Sequence, residues 1–349
     1  MDIRQAIGEV VMGHDLSVED ASAVMRQIME GEAQPAQFGA FVTALRMKGE
    51  TPEEIAGMAR VMREKALTVE FDGPLVDTCG TGGDGQSTFN ISTCAAFVAA
   101  GAGVTVAKHG NRAMSSSSGS ADALEGLGVK VVLGPEDVRR CLEEIGVGFM
   151  FAQAFHPAMK YAGPLRPQIG IRTVFNLLGP LTNPAGARFQ IIGMGNPDAA
   201  EKVAKALDIL GTQSAFVVYG ADGMDELSPE GISHLWQVEN GRTKRRRTRP
   251  SDFGLPEGAQ SHIVAHSVED SVRIIRGVLD GKGAGVNHAP GVELSARIAV
   301  VINAAAALVA AGKAGSFQEG AALAMESIDS GRARAKLEAL VELSNRLGD

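Results

Sequence analysis

A chain of 349 residues can bury an ample core as one large domain or two smaller ones without staples, and its three cysteines, Cys79, Cys94 and Cys141, are too few and too scattered for a disulfide framework or a zinc site. Its 33 basic and 41 acidic side chains leave a net charge of −8, which argues against a general nucleic-acid binder. The first residues run straight into a polar, helix-like segment, and the longest apolar run, 298–311, is interrupted by Asn303 and short of the ~20 residues a membrane span needs; a soluble cytoplasmic protein is expected.

Residues 1 to about 68 read as helices only. Ser17 precedes Val-Glu-Asp as an N-cap with first-turn acids, and Ala21, Val24, Met25, Ile28 and Met29 keep helical spacing. Phe38, Phe41, Val42 and Leu45 form a second stripe that ends at Lys48-Gly49. Thr51-Pro-Glu-Glu54 then supplies a cap, a proline at the first helical position and an N3 glutamate. Three or four short helices make a small bundle, which predicts a helical domain over 1–70 and an α/β domain over 71–349.

From about residue 74, short β-rich runs alternate with helices, the pattern of a mostly parallel sheet flanked by helices. After Leu75-Val76, read as a strand end, comes Asp77-Thr-Cys-Gly-Thr-Gly-Gly-Asp-Gly85. Glycines at 80, 82, 83 and 85 allow positive φ and close approach to a ligand, and successive free N–H groups make an anion nest. Asp84 inside that nest would repel a bare phosphate, so the loop predicts a phosphorylated ligand carrying Mg²⁺. Thr88, Asn90, Ser92 and Thr93 put more polar groups at the start of the apolar helix 95–100 than capping requires. A strand at 104–107 leads into Lys108-His-Gly-Asn-Arg112, Ala113, Met114 and the serines of 115–120, a second phosphate-suited cluster ahead of a helix at 121–127.

Further strands are expected at 129–133, 147–151, 190–193 and 215–219, with helices at 135–145 and 198–210. The segment 162–184, rich in Gly-Pro and Asn-Pro, reads as a hinge or crossover returning to the helical domain. Asp225-Glu226, in a loop after a strand, suits a hard divalent ion. Beyond 223 a less regular β region leads to the basic run Lys244-Arg-Arg-Arg247 with Arg249, read as a solvated hairpin or loop, and alanine-rich helices follow, with 303–310 as core packing.

Gly80, Gly82 and Gly85 formally match the dinucleotide fingerprint G-x-G-x-x-G, but that fold needs an acid at the end of the second strand, where this chain has Lys108-His109. A P-loop is absent from the sequence. Lys108 and the separate Asp225-Glu226 pair leave Asp84 free to contact the phosphorylated ligand rather than a metal.

Taken in order, Gly80-Thr-Gly-Gly-Asp84, Asn90-Ile-Ser-Thr93, Lys108-His-Gly-Asn-Arg112, Ser117-Ser-Gly-Ser-Ala-Asp122, Arg172-Thr-Val-Phe-Asn-Leu-Leu-Gly-Pro-Leu-Thr-Asn-Pro184 and Asp225-Glu226 resemble the anthranilate phosphoribosyltransferases over nearly the whole chain. The resemblance implies the fold shared with pyrimidine nucleoside phosphorylases, a small helical lobe beside a large α/β lobe, paired as a homodimer through the helical lobes. It implies transfer of the phosphoribosyl group of phosphoribosyl pyrophosphate to the amine of anthranilate, with Mg²⁺, in tryptophan biosynthesis. By the same resemblance, donor contacts fall on Gly80, Gly83, Asp84, Thr88, Asn90, Ile91, Ser92, Thr93, Lys108, His109, Gly110, Asn111, Arg112, Ala113, Met114, Ser115, Ser116 and Ser120. Anthranilate falls to Gly80, Asn111, Arg166 and His156, and metal to Ser92, Asp225 and Glu226, with Lys108 and Arg166 carrying the catalytic charges. The alternatives are a nucleoside phosphorylase, which has no evident need of the Asp225-Glu226 pair, and a non-catalytic nucleic-acid binder using 244–249, which the net charge disfavours.

Overall fold

The structure, a computed structural model, describes residues 1–113, 117–284 and 291–348; Met114, Ser115 and Ser116 of the serine cluster lie outside the described residues. The helical lobe begins with α1 (Ile3–Val11), α2 (Val18–Glu30), α3 (Pro35–Lys48) and α4 (Pro52–Glu64). Ser17 caps α2 by accepting from Asp20 N at 3.1 Å. In α4, Thr51 Oγ1 accepts from Glu54 N while Glu54 Oε2 accepts from Thr51 N, a closed capping box. Glu54 is fully buried because it does more than cap: its Oε1 accepts from Leu16 N and its Oε2 pairs with Lys48 at 3.1 Å. A buried carboxylate is tolerable only with such a full set of partners.

The α/β lobe follows as β1 (Leu75–Gly80), α5 (Ile91–Gly101), β2 (Thr105–Gly110), α6 (Ser120–Leu127), α7 (Pro135–Glu144) and β3 (Val147–Phe151). The chain then passes through α8 (Ala152–Phe155) to α9 (Arg166–Ile169) and α10 (Phe175–Leu178), and returns as β4 (Phe189–Gly193), α11 (Pro197–Ile209), β5 (Ser214–Gly220), β6 (Ser233–Glu239) and β7 (Arg242–Thr248). Four helices close the lobe: α12 (Val268–Leu279), α13 (Val292–Ala310), α14 (Phe317–Asp329) and α15 (Arg332–Leu347). The seven strands lie in the order β3-β2-β1-β4-β5-β6-β7, with β1 to β5 parallel and β6 and β7 antiparallel.

Three expectations change. β1 does not stop at Val76 but pairs with β4 as far as Gly80↔Gly193, so Asp77 is a buried strand residue and not part of the loop. The stretch 129–133 joins no strand: Val129, Val131 and Leu133 are buried, but β2 already has β1 and β3 beside it, and Lys130 N donates instead to Ser344 Oγ of α15. Its alternating pattern reflects packing against a helix and not a ladder. The region after 223 contains a regular hairpin, turned by Asn240 (φ +49°) and Gly241 (φ +74°), and the basic run is its outer strand. Charges along an open sheet edge discourage pairing with another chain.

Ala162, Val174, Phe175, Leu178 and Leu181 enter the same apolar core as α1 to α4, with the Phe175 and Phe38 rings 5.4 Å apart. That core continues through α11 onto Ile192, Ala215, Val217, Trp236 and Val238 of the sheet and Met194 just past β4, so the lobes share one apolar layer. The opposite sheet face is covered by α5 and α13. Helix α13, 19 residues long, has the length and hydropathy of a membrane span, but 78% of its apolar window is buried inside the fold. It packs as a core helix.

Candidate active site

In a parallel sheet of order 3-2-1-4-5, the crevice opens where neighbouring crossovers leave in opposite directions, here outside the carboxyl ends of β1 and β4. Four strands reaching that edge end in glycine: Gly80, Gly110, Gly193 and Gly220. None has spare room. A Cβ on Gly193 would lie 1.9 Å from Asp225 O, one on Gly80 2.7 Å from Asp225 Oδ2, one on Gly110 2.1 Å from Ser120 Oγ and one on Gly220 2.4 Å from Asp222 Oδ1. The missing side chains let the loops carrying the polar groups settle directly on the sheet edge.

Above this floor is a cavity of about 320 Å³. Gly80, Gly83, Asp84, Thr88, Asn90, Ser92, Lys108, His109, Gly110, Asn111, Arg112, Ala113, Ser120, Arg166, Asp225 and Glu226 all line it. The structure thus gathers residues up to 146 positions apart, from Gly80 to Glu226, into one cleft. Ile91 and Thr93 are fully buried in the first turn of α5 and do not line the cavity, because the helix turns those side chains toward the core. His156 does not line it either; it stands behind His109.

Asp84, Asp225 and Glu226 place one carboxylate oxygen each within 4.8 Å of one another. Asp225 Oδ2 accepts from Gly82 N at 2.9 Å, and Asp84 Oδ2 accepts from Asp225 N at 3.3 Å, so the glycine loop and the acidic loop hold each other in place. Asp84 and the Asp225-Glu226 pair are therefore parts of one cluster and not two separate sites. Burial, then the neighbouring Asp225, raises the Asp84 pKa; burial and then Asp225 push that of Glu226 well above the usual carboxylate range. Glu226 Oε2 is enclosed without a hydrogen-bond donor. Three hard oxygen ligands under mutual repulsion, one of them orphaned, fit a divalent cation such as Mg²⁺.

Lys108 is buried near the end of β2, where its Nζ donates to Thr78 O and, at 3.3 Å, to Ser92 Oγ. Burial lowers its pKa, while Asp77, Cys79 and Glu226 draw it back up. Asp77 in turn accepts from Asn183 Nδ2 at 2.8 Å and from His109 N at 3.2 Å, which fixes the end of β2 against the crossover. The ammonium thus lies between β1 and the first turn of α5, oriented toward Ser92. Asn90 Oδ1 accepts from Ser118 and Ser271 hydroxyls, and the Arg112 guanidinium is held by Glu125 and Asp122. Serines do not cap α6: the N-cap is Gly119, whose N–H and that of Ala113 are both taken by Asp122 Oδ2 at 2.9 Å.

His109 and His156 meet Nε2 to Nε2 at 3.2 Å in a buried pair. Burial pushes the His109 pKa down to about 3, helped by His156, and that of His156 down to about 4. Both lie below the ordinary value near 6.5, so their stabilising contribution is complete above about pH 6.5 and is lost as pH falls toward about 4. Unfolding near pH 5 should therefore take up about two protons from solvent onto this pair, at ~1.4 kcal/mol per pH unit each. In urea melts from pH 7 to pH 5, a His156→Asn variant is expected to lose stability less steeply than the wild type, by about one proton in slope. Parallel curves would show that the pair does not titrate in this way.

Apart from Arg166, the opposite wall of the cavity was missed by the sequence reading. Arg172, Phe175, Asn176, Gly179 and Pro180 line it alongside Arg166. The Arg166 guanidinium lies 5.9 Å from the Phe175 ring centroid, with no ion pair or hydrogen bond from its side chain among the described residues. Burial lowers its pKa, and the neighbouring Arg172 lowers it further. The signal was present in the 172–184 motif, but its prolines and glycines suggested a hinge and hid its polar residues.

Comparison with known proteins agrees with this geometry. Residues 4–66 match the helical bundle domain and residues 72–334 the a/b domain of a glycosyl transferase family. Anthranilate phosphoribosyltransferase of Chloroflexus aurantiacus is 55% identical over 99% of both chains, and that of Herpetosiphon aurantiacus 54% identical over 99% of this chain and 100% of the other. The crystal structure of the Thermus thermophilus enzyme superposes with a TM-score of 0.89 at 42% identity, covering 97% of this chain and 99% of that one. The Saccharomyces cerevisiae enzyme in complex with PRPP and Mg gives 0.88 at 29% identity over 99% and 98%. With fold, site and near full-length identity in agreement, the chain belongs to the anthranilate phosphoribosyltransferase family.

Proposed function

We propose that this cleft binds phosphoribosyl pyrophosphate along the glycine loop and the second cluster, and seats anthranilate between Asn111 and Arg166, so that the chain transfers the phosphoribosyl group to the amine and releases pyrophosphate. The observation that carries the reading is the polarity of the cavity: an acid cluster with an orphaned oxygen beside an anion nest on one side, and on the other a half-buried Arg166 with no side-chain partner among the described residues. Mg²⁺, when bound, offsets negative charge on the pyrophosphate; Asp225, Glu226 and Ser92 would hold it, with Asp84 beside them.

The amine of anthranilate is neutral at pH 7 and needs no strong base before it attacks. The protein's work is positioning and charge compensation. The N–H groups of Gly83 and Asp84, which have no partner among the described residues, and the N-terminus of α5 favour the anionic donor, and Lys108 holds Ser92 in place. Arg166 offers a planar fork to the anthranilate carboxylate and so aims the amine at the anomeric carbon. His109, braced by His156, closes the floor behind Asn111.

Loss of anthranilate fluorescence on mixing with phosphoribosyl pyrophosphate and Mg²⁺ tests the reaction. Arg166→Ala is expected to raise the anthranilate KM by about tenfold to a hundredfold with a much smaller change for the donor. An unchanged anthranilate KM would remove Arg166 from the acceptor site.

The homodimer is proposed through the ends of α1 and α3, where Val11 (67% exposed), Met12 (74%) and Met47 (83%) stand open. Lys48 bonds Asp15 and so draws the ends of these helices together. A light-scattering mass of one chain would remove this proposal.

A further inference from the structure

Arg172 belongs to the crossover, between α9 and α10, yet its Nη1 donates to the carbonyls of Gly82 at 3.1 Å and Gly83 at 3.3 Å across the cleft. Those glycines hold φ of +57° and +69°. A peptide unit is planar, with its C=O and N–H on opposite sides. A donor that fixes the carbonyls of 82 and 83 on one side therefore turns the N–H groups of 83 and 84 to the other, as an anion nest requires. Arg172 has no ion pair among the described residues, and it stands near the cation Arg166. Its guanidinium is thus left for the two carbonyls.

We infer that Arg172 is a positioning residue for the donor: a strut from the crossover that holds the glycine loop in its anion-binding conformation. The segment carrying the acceptor's arginine then also shapes the site of the donor. The inference rests on reading the cleft as a phosphoribosyl pyrophosphate site. It accounts for an exposed arginine with backbone carbonyls as its hydrogen-bond partners, where a surface arginine would ordinarily find a carboxylate or water.

The test compares wild type with Arg172→Ala and Arg172→Lys in the full-length protein. Hydrogen exchange of amides 81–86 is measured without ligand, and affinities for phosphoribosyl pyrophosphate with Mg²⁺ and for anthranilate are measured by titration. Arg172→Ala is expected to exchange faster in 81–86 and to bind the donor about tenfold to a hundredfold more weakly, the range for lost hydrogen bonds from a charged group. Anthranilate affinity should change less than about threefold, and lysine should restore part of the donor affinity by reaching one carbonyl. Unchanged exchange overturns the strut, whether donor affinity holds or falls; a fall alone would mean that Arg172 touches the donor directly. Faster exchange with undiminished donor affinity overturns it equally. Should wild type itself fail to bind the donor, the functional reading falls separately, and the exchange data still decide whether the strut exists.

Discussion

Asp225→Asn combined with Glu226→Gln is expected to abolish Mg²⁺-dependent turnover while raising the melting temperature of the ligand-free protein. The two effects have one cause. Asp84, Asp225 and Glu226 crowd three carboxylates into a partly dry corner, and the raised pKa values of Asp84 and Glu226 record that the folded state disfavours their charged forms. Neutral amides remove the repulsion, the amide oxygen at 225 still accepts from Gly82 N, and the unchanged Asp84 carboxylate still accepts from the N–H of residue 225. A gain on the order of 1–2 kcal/mol, a few degrees in Tm, is expected. The same change removes the charge that a divalent ion needs, and turnover should fall on the order of 10³-fold or more. Calorimetry and the fluorescence assay on one preparation check both halves. A double variant with wild-type rates would show that the pair does not serve the metal.

Gly193→Ala should also cost activity, but with the opposite effect on stability. The added methyl would lie 1.9 Å from the carbonyl oxygen of Asp225, which is backbone and cannot swing aside. Either β4 or the acidic loop must shift, at about 3 kcal/mol or more. Gly80→Ala is the informative companion. There the methyl meets Asp225 Oδ2 at 2.7 Å, and a side chain can rotate away. Its Tm should fall far less than that of Gly193→Ala, yet turnover should still drop, because the carboxylate would have left the cluster. Equal losses of Tm in both variants would mean that the floor yields as a whole.

The helical lobe was legible because its signals are local. Ser17, Thr51-Pro-Glu-Glu54 and the stripe from Phe38 to Leu45 each state a boundary or a buried face within one or two turns, and the structure follows them. Strands β1 to β5 were legible as runs, but not their partners, and β6 and β7 were not placed. Val129, Val131 and Leu133 alternate as a strand would, and only the position of α15 shows that helix packing satisfies them. A hairpin was among the readings of the basic run, and Asn240-Gly241 was the turn signal that decides for it over a loop. In the site, residues with unusual local chemistry, such as the glycine loop and the Asp225-Glu226 pair, announced themselves. Arg172 and Asn176 did not, since their importance comes from facing a loop some 90 residues earlier in the chain. Equally, nothing in the sequence says that Ile91 and Thr93 turn inward while Ser92, between them, faces the cavity.

The way 162–184 enters the core of α1 to α4 also constrains how the protein can be made. Phe38 has Phe175 as its ring partner, 137 positions later, and Ala162, Val174, Leu178 and Leu181 complete the same packing. A ribosome releases the first four helices long before these side chains exist outside the tunnel. Until they emerge, the early helices can form only a loose assembly with an uncovered apolar face, the kind of surface that chaperones hold. A fragment ending at residue 70 should accordingly stay molten, however well its helices are capped.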